Sequence, residues 1–145
     1  MIILDTNVLS ELIRREPNPI VGERLSHLSR ARTFTTVICL AEVLVGLSIL
    51  PAGKKKAMLH TMITALLRHE FAGRILPYEA DAAAQYAEIL AQRRRIGRPI
   101  SMTDAQIAAI ARHHGAILCT RNGKDFEGCG IRIWDPWTEE LELRS

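Results

Sequence analysis

Apolar and polar positions change rhythm several times along the chain. Ile2-Ile3-Leu4 is a short apolar run closed abruptly by Asp5, and such a run reads as a buried strand. From Asn7 to Arg14 the apolar residues recur at helical spacing. Pro17 and Pro19 break that pattern before a second helix near Ile20-Ser29. Phe34-Thr36 predicts a strand, with Thr35 or Thr36 capping the next helix. That helix, Val37 to about Leu50, is apolar nearly all round and is expected to be buried on more than one side. Pro51-Ala52-Gly53 ends it. The pattern then predicts an amphipathic helix over Lys54-Phe71, an extended piece at Ile75-Pro77 and an Ala-rich helix over Ala80-Ile96. A last helix opens at Ser101 and is stopped by Gly115. Strands follow at Ala116-Cys119 and Ile131-Trp134.

Strands alternating with helices define the α/β class, with a mainly parallel central sheet covered by helices on both faces. Without repeat, linker or composition break, residues 1–145 read as a single domain, with a tail from about 138–145. A chain of 145 residues, 48% apolar, suffices for one real core. The net charge of +3 suits a nucleic-acid partner without requiring one. Three cysteines, Cys39, Cys119 and Cys129, lack the spacing of a zinc site or disulfide framework, which points to a reducing, cytoplasmic setting. The few apolar residues before Asp5 are too short for a signal peptide. Val37-Leu50, interrupted by Glu42, is too short for a membrane span.

The carboxylates carry the chemistry. Ligands of open α/β sheets sit at the carboxyl ends of the strands, where Asp5 falls. Taken alone, Asp5 is equally an Asx turn or helix N-cap. Glu42 has only Cys39, Ile38, Val45 and Gly46 three and four positions away, so its own helix offers it no partner charge. It needs a distant Arg, a hydrated helix end or a cation. Ser101 and Asp104 have capping-box spacing, which explains Asp104 structurally; a helix N-terminus also keeps that carboxylate ionised. A fourth region, Thr120-Arg121-Asn122-Gly123-Lys124-Asp125, again follows a strand, and offers a turn at Asn122 and a helix cap at Asp125. Two carboxylates about 5 Å apart repel by roughly 3 kcal/mol at an effective dielectric of 20. Converging acids therefore need a cation between them or raised pKa values, and oxygen-only donors select Mg²⁺ or Mn²⁺.

The blocks "MIILDTNVLSEL", "AEVLVGL", "TDAQIAAIARHHG" and "LCTRNGKDFEGCGIRIWDPW" together resemble a PIN-domain ribonuclease, and more narrowly the VapC-type toxins of bacterial toxin–antitoxin pairs, including the FitB-like branch. The resemblance spans about residues 1–137 and keeps all the blocks in order. It implies a three-layer α/β/α fold and Mg²⁺- or Mn²⁺-dependent cleavage of RNA, leaving 3′-hydroxyl and 5′-phosphate ends. By motif, Asp5, Glu42 and Asp104 match the family's acidic metal-site positions, with Thr6 and Asn7 beside the first acid and Ser101 supporting the third. The sequence departs at the fourth position. Many members have Asp where this chain has Asn122, and Asp125 follows one helical turn later.

An acidic site repels RNA, so the backbone must be held elsewhere. The candidates are Arg93, Arg94, Arg95 and Arg98, with Arg121 and Lys124 beside the fourth block; the alternative for the Arg run is a solvated helix end favoured by the macrodipole. Lys54-Lys55-Lys56 reads as a solvated helix start, His113-His114 as helix capping, and Trp134 and Trp137 as packing. The resemblance implies a cognate antitoxin whose tail enters the acidic site. It also implies a homodimer, and contact with operator DNA only through the antitoxin. The Val37-Leu50 helix is either core or part of such an interface. Two rivals stand beside this reading. One is a PIN-like binding module of weak catalysis, suggested by Asn122. The other is a phosphatase with an Asp nucleophile, in which a second Asp would stand where this chain has Asn7.

Overall fold

The computed structural model describes residues 1–142. Its centre is a five-stranded, wholly parallel sheet: β1 (Ile2–Leu4), β2 (Thr33–Thr36), β3 (Ile75–Leu76), β4 (Ile117–Cys119) and β5 (Arg132–Trp134). The spatial order is β3-β2-β1-β4-β5, so the chain builds outward on one side of β1 and then returns to build on the other. The point where the order reverses lies between β1 and β4. There the connections leave in opposite directions and open a crevice at the strands' carboxyl ends. Every residue of β1 is buried, as are Leu118 and Cys119. A strand buried on both sides needs layers above and below it, which gives the three-layer α/β/α arrangement.

Four of the helices begin where a short polar side chain satisfies their free amides. Asp5 caps α1 (Thr6–Leu12), Asn18 caps α2 (Pro19–Ser26), Thr36 caps α3 (Val37–Ser48) and Ser101 caps α6 (Met102–His113). Gly115, at φ 59°, supplies the left-handed turn that ends α6 and sends the chain into β4. Helix α5 (Ala80–Arg95) packs along α6, while α3 packs against α1 and α6. The core is filled by Ile3, Val8, Ile89, Ile107, Ile110 and Leu118, all fully buried.

Three expectations change. Helix α1 stops at Leu12 because the buried carboxylate of Glu11 accepts the amide of Asn18 at 2.7 Å and turns the chain into α2. Helix α4 (Lys54–Ala65) does not run to Phe71 as a regular helix. Its last turn, Leu66–Glu70, widens so that the Phe71 amide reaches the Leu66 carbonyl, and Phe71 drops into the core. Helix α3 is buried on one side only: Cys39, Val43 and Leu47 face inward, while Val45 is 59% exposed and Ile49, its C-cap, 77%.

The tail packs back as far as Glu142. Trp134 Nε1 donates to the Glu139 carbonyl and Leu141 rests on the core; residues 143–145 lie outside the described part. No helix among the described residues is long and apolar enough to cross a membrane.

Two substitutions test this account. Leu118→Ala, in the middle of the sheet, is expected to cost about 3 kcal/mol. Thr36→Ala, which removes a cap, is expected to cost about 1 kcal/mol. Urea unfolding followed by circular dichroism reads both, and equal costs would contradict the assigned roles.

Candidate functional site

The crevice between β1 and β4 is organised around one carboxylate. Asp5 ends β1 with only 5% of its surface exposed, and each of its oxygens is engaged. Oδ1 accepts the Thr6 amide at 2.8 Å and faces the Cys39 thiol at 3.7 Å. Oδ2 accepts the Thr120 hydroxyl at 2.7 Å and the Asn7 side-chain amide at 3.3 Å. Burial raises the Asp5 pKa, while these donors pull it back down. Burial, with the Asp5 charge adding to it, pushes the Cys39 thiol up to about 12, so it stays protonated and donates rather than binds metal as thiolate.

The neighbours extend this network. Thr6 Oγ1 donates to Glu42 Oε1 at 2.8 Å, so one residue links the first two acids directly. Glu42, half-buried on α3, thus finds its partner across the fold and not on its own helix. Asn7 Nδ2 also donates to Thr120 Oγ1 at 3.1 Å, and Asn7 Oδ1 accepts the Arg121 amide at 3.1 Å. Thr6 and Asn7, the residues expected to support the first acid, both hydrogen-bond to Asp5. Thr120, wholly buried, was not predicted. A Thr at a strand end carries no signal of its own, and only the sheet order sets it opposite Asp5.

Asp104 lies in the first turn of α6, its amide bonded to Ser101 Oγ at 3.2 Å, as the capping-box spacing predicts. Burial raises its pKa first; the charges of Asp5, Asp125 and Glu42 add to the rise, and only Ser101 opposes it. One carboxyl thus senses all the other acids of the region. Asp125, within the short turn Gly123–Phe126, belongs to this group by its charge. Asn122 is exposed and its side chain caps nothing; its amide donates to Thr120 Oγ1 at 3.1 Å. Of the two candidates for the fourth position, Asp125 is the one that acts on Asp104.

The donors suit a hard divalent cation: they are carboxylate oxygens, and the nearby thiol is held neutral. As they stand, no three Asp, Glu, His or Cys side chains among the described residues meet at metal-binding distance. The charges of Asp5, Asp125 and Glu42 reach Asp104, yet the acids are not drawn onto a single point, the arrangement that mutual repulsion favours.

The cationic candidates divide. Arg121 is exposed and lies 5.0 Å over the Trp137 ring, and Lys124 is exposed beside Asp125. Arg94 and Arg95 are exposed at the end of α5; Arg98 pairs with Glu127. Arg93 is a correction. It is only 4% exposed and points into the protein, where it bonds backbone carbonyls, so it has no access to RNA. His114 caps α6, as expected, and His113 lies 3.7 Å from Asp81.

The PIN domain family model matches residues 2–129 of this chain. The chain belongs to the PIN-domain family. It is 36% identical over 137 residues to VapC ribonuclease Y4jK of Sinorhizobium fredii, covering 94% of this chain and 98% of that one. It is 37% identical to toxin FitB of Neisseria gonorrhoeae, covering 94% and 99%. The solved structure of FitAB bound to an IR36 DNA fragment superposes with a TM-score of 0.90 at 36% identity, covering 99% of this chain and 100% of that one.

The raised pKa of Asp104 has a consequence for stability. An acid whose folded pKa lies above its unfolded value costs stability once pH exceeds the folded value, and the cost fades as pH falls through it. Asp104→Asn removes that cost. The metal-free variant is therefore expected to melt above the wild type at pH 7, with the gap closing as pH falls toward 4. Calorimetry in EDTA across that range checks it.

Proposed function

We propose that this chain is the ribonuclease toxin of a toxin–antitoxin pair, hydrolysing RNA phosphodiester bonds at Asp5, Glu42 and Asp104 with Mg²⁺ or Mn²⁺ as cofactor. The observation that carries the proposal is the buried, fully hydrogen-bonded Asp5 at the reversal of the sheet, linked through Thr6 to Glu42 and sensed electrostatically by Asp104. The relatives named ribonuclease and toxin support the same reading.

When bound, the cation lowers the pKa of a water to make the nucleophile and neutralises charge on the phosphate. Asp5 and Asp104 are the residues that would hold it, with Glu42 reaching it directly or through water. Thr6, Asn7 and Thr120 keep Asp5 in one orientation, which a buried carboxylate needs to present the same lone pairs each cycle. Asp125, more than Asn122, supplies the fourth charge. Arg121 and Lys124, in the segment that carries this charge, hold the RNA backbone near the acids, with Arg94, Arg95 and Arg98 further along. Asn7 is committed to orienting Asp5 and to the Arg121 amide, which disfavours a phosphatase with a second acid at this position.

The partner is a cognate antitoxin that occupies the acidic crevice, and operator DNA is contacted only through it. The one-sided apolar face of α3 is suited to a homodimer. The setting is the cytoplasm, in keeping with the free buried cysteines.

Purified protein freed of antitoxin should cut a mixed RNA pool in Mg²⁺ or Mn²⁺, and neither in EDTA nor as Asp5→Asn. Cutting that persists in EDTA or in the variant would overturn the site; metal-binding protein that cuts nothing would favour the weak binding module. In the inactive Asp5→Asn background, Arg121→Ala and Lys124→Ala should each lower the salt slope of RNA binding by about 1, read by fluorescence anisotropy.

A further inference from the structure

Arg93 is a buried guanidinium with no carboxylate partner among its bonds. Its Nε donates to the Arg98 carbonyl; its Nη1 donates to the carbonyls of Asp125 at 2.7 Å and Glu127 at 3.0 Å and faces the Cys129 sulfur at 3.7 Å. Burying a charge on carbonyl dipoles alone is costly, and a charge so placed is poor evidence for stability. The bonds it makes are specific in another way. Arg98 lies on the segment that leads from α5 to Ser101 and Asp104. Asp125 and Glu127 lie on the segment that follows β4. One planar group therefore ties the approach to the third acid to the turn that carries the fourth.

Two further contacts tighten the same junction. Arg98 pairs through its own guanidinium with the Glu127 carboxylate and donates to the Lys124 carbonyl at 3.4 Å. Gly128, at φ 79°, lets the segment settle against α5: a Cβ there would lie 3.0 Å from Ile96 Cδ1 and 3.7 Å from Arg93 Cδ.

We propose that Arg93 is a positioning residue for the metal site, which by fixing the carbonyls of Arg98, Asp125 and Glu127 holds the Asp125 carboxylate within reach of the ion bound by Asp5 and Asp104. This rests on the reading of those acids given above. Lys has a single ammonium on a flexible stem and cannot reproduce a planar fan of donors, so Arg93→Lys keeps the charge and loses the geometry.

The test is Mn²⁺ affinity of the protein alone, measured by the electron paramagnetic resonance of free Mn²⁺, alongside amide hydrogen exchange. Arg93→Lys should weaken Mn²⁺ binding about 10-fold. In an Asp125→Asn background the same change should have little further effect, because the lost group is the one Arg93 positions. Amides of Asp125 and Cys129, which close the turn onto Asn122 and Phe126, should exchange faster while those of β1 and α6 do not. Gly128→Ala, which disturbs the junction from its other side, should show the same pattern and serves if Arg93→Lys does not fold. Unchanged Mn²⁺ affinity in a folded variant, or equal loss with and without Asp125, would overturn the positioning role. Wild-type protein that binds no Mn²⁺ would instead sink the assignment of the acids, and this inference with it.

Discussion

The hydrogen bond from Thr120 to Asp5 is the contact on which the rest of the site depends. It joins the carboxyl ends of β1 and β4, strands far apart in sequence that lie side by side where the sheet reverses. The register of the two strands, Leu4 opposite Cys119, sets the next residues, Asp5 and Thr120, beside each other. The backbone reinforces the arrangement: the Asp5 amide donates to the Cys119 carbonyl, and the Asp5 carbonyl accepts the amides of Val8 and Leu9 to start α1. Asp5 is thus part of the sheet, the cap of a helix and the centre of the acid group at once. A residue with three structural attachments cannot turn away when its charge becomes unfavourable.

That fixity has an electrostatic cost, and the fold offsets it locally. Donors surround Asp5 on both oxygens, and the first turn of α6 places helix amides near Asp104. The offset is incomplete, since both carboxyls remain above their ordinary pKa. A protein selected for stability alone would place a Leu or an Asn at such positions. Retained ionisable oxygens with raised pKa values are the pattern that functional sites concentrate, and the cation proposed for this site would offset the cost.

Much of this was legible in the sequence because it depends on local rules. The strand that ends at Asp5, the caps at Thr36 and Ser101, and the stop at Gly115 follow from chain-local chemistry, and each was expected at its residue or beside it. Asp5 stood out by closing a strand, Glu42 because its own helix offers no partner charge, and Asp104 by its capping-box spacing from Ser101. What was not legible depends on distant segments meeting. Thr120 is an unremarkable strand-end residue until β4 pairs with β1. Helix α3 looked like core because composition counts apolar residues, not the surfaces available to cover them. The widened turn at Leu66–Glu70 answers the need to bury Phe71, a demand of the whole core.

Arg93, Arg94 and Arg95 show the same limit most sharply. Side by side in sequence, they form a basic run of the kind that a helix end normally offers to solvent. Successive helical residues point about 100° apart, so the three cannot share a direction. One of them faces inward, and its fate is decided by the segment 123–129, which returns from β4 to lie against α5. That segment carries backbone carbonyls that neither strand nor helix satisfies, and the inward arginine is long enough to reach them. The same cation that composition assigns to a nucleic acid is thereby taken up by the protein's own backbone, and the charge left to meet a phosphate is smaller than the run suggests. Counting basic residues measures the potential of a surface only after the fold has removed those it keeps.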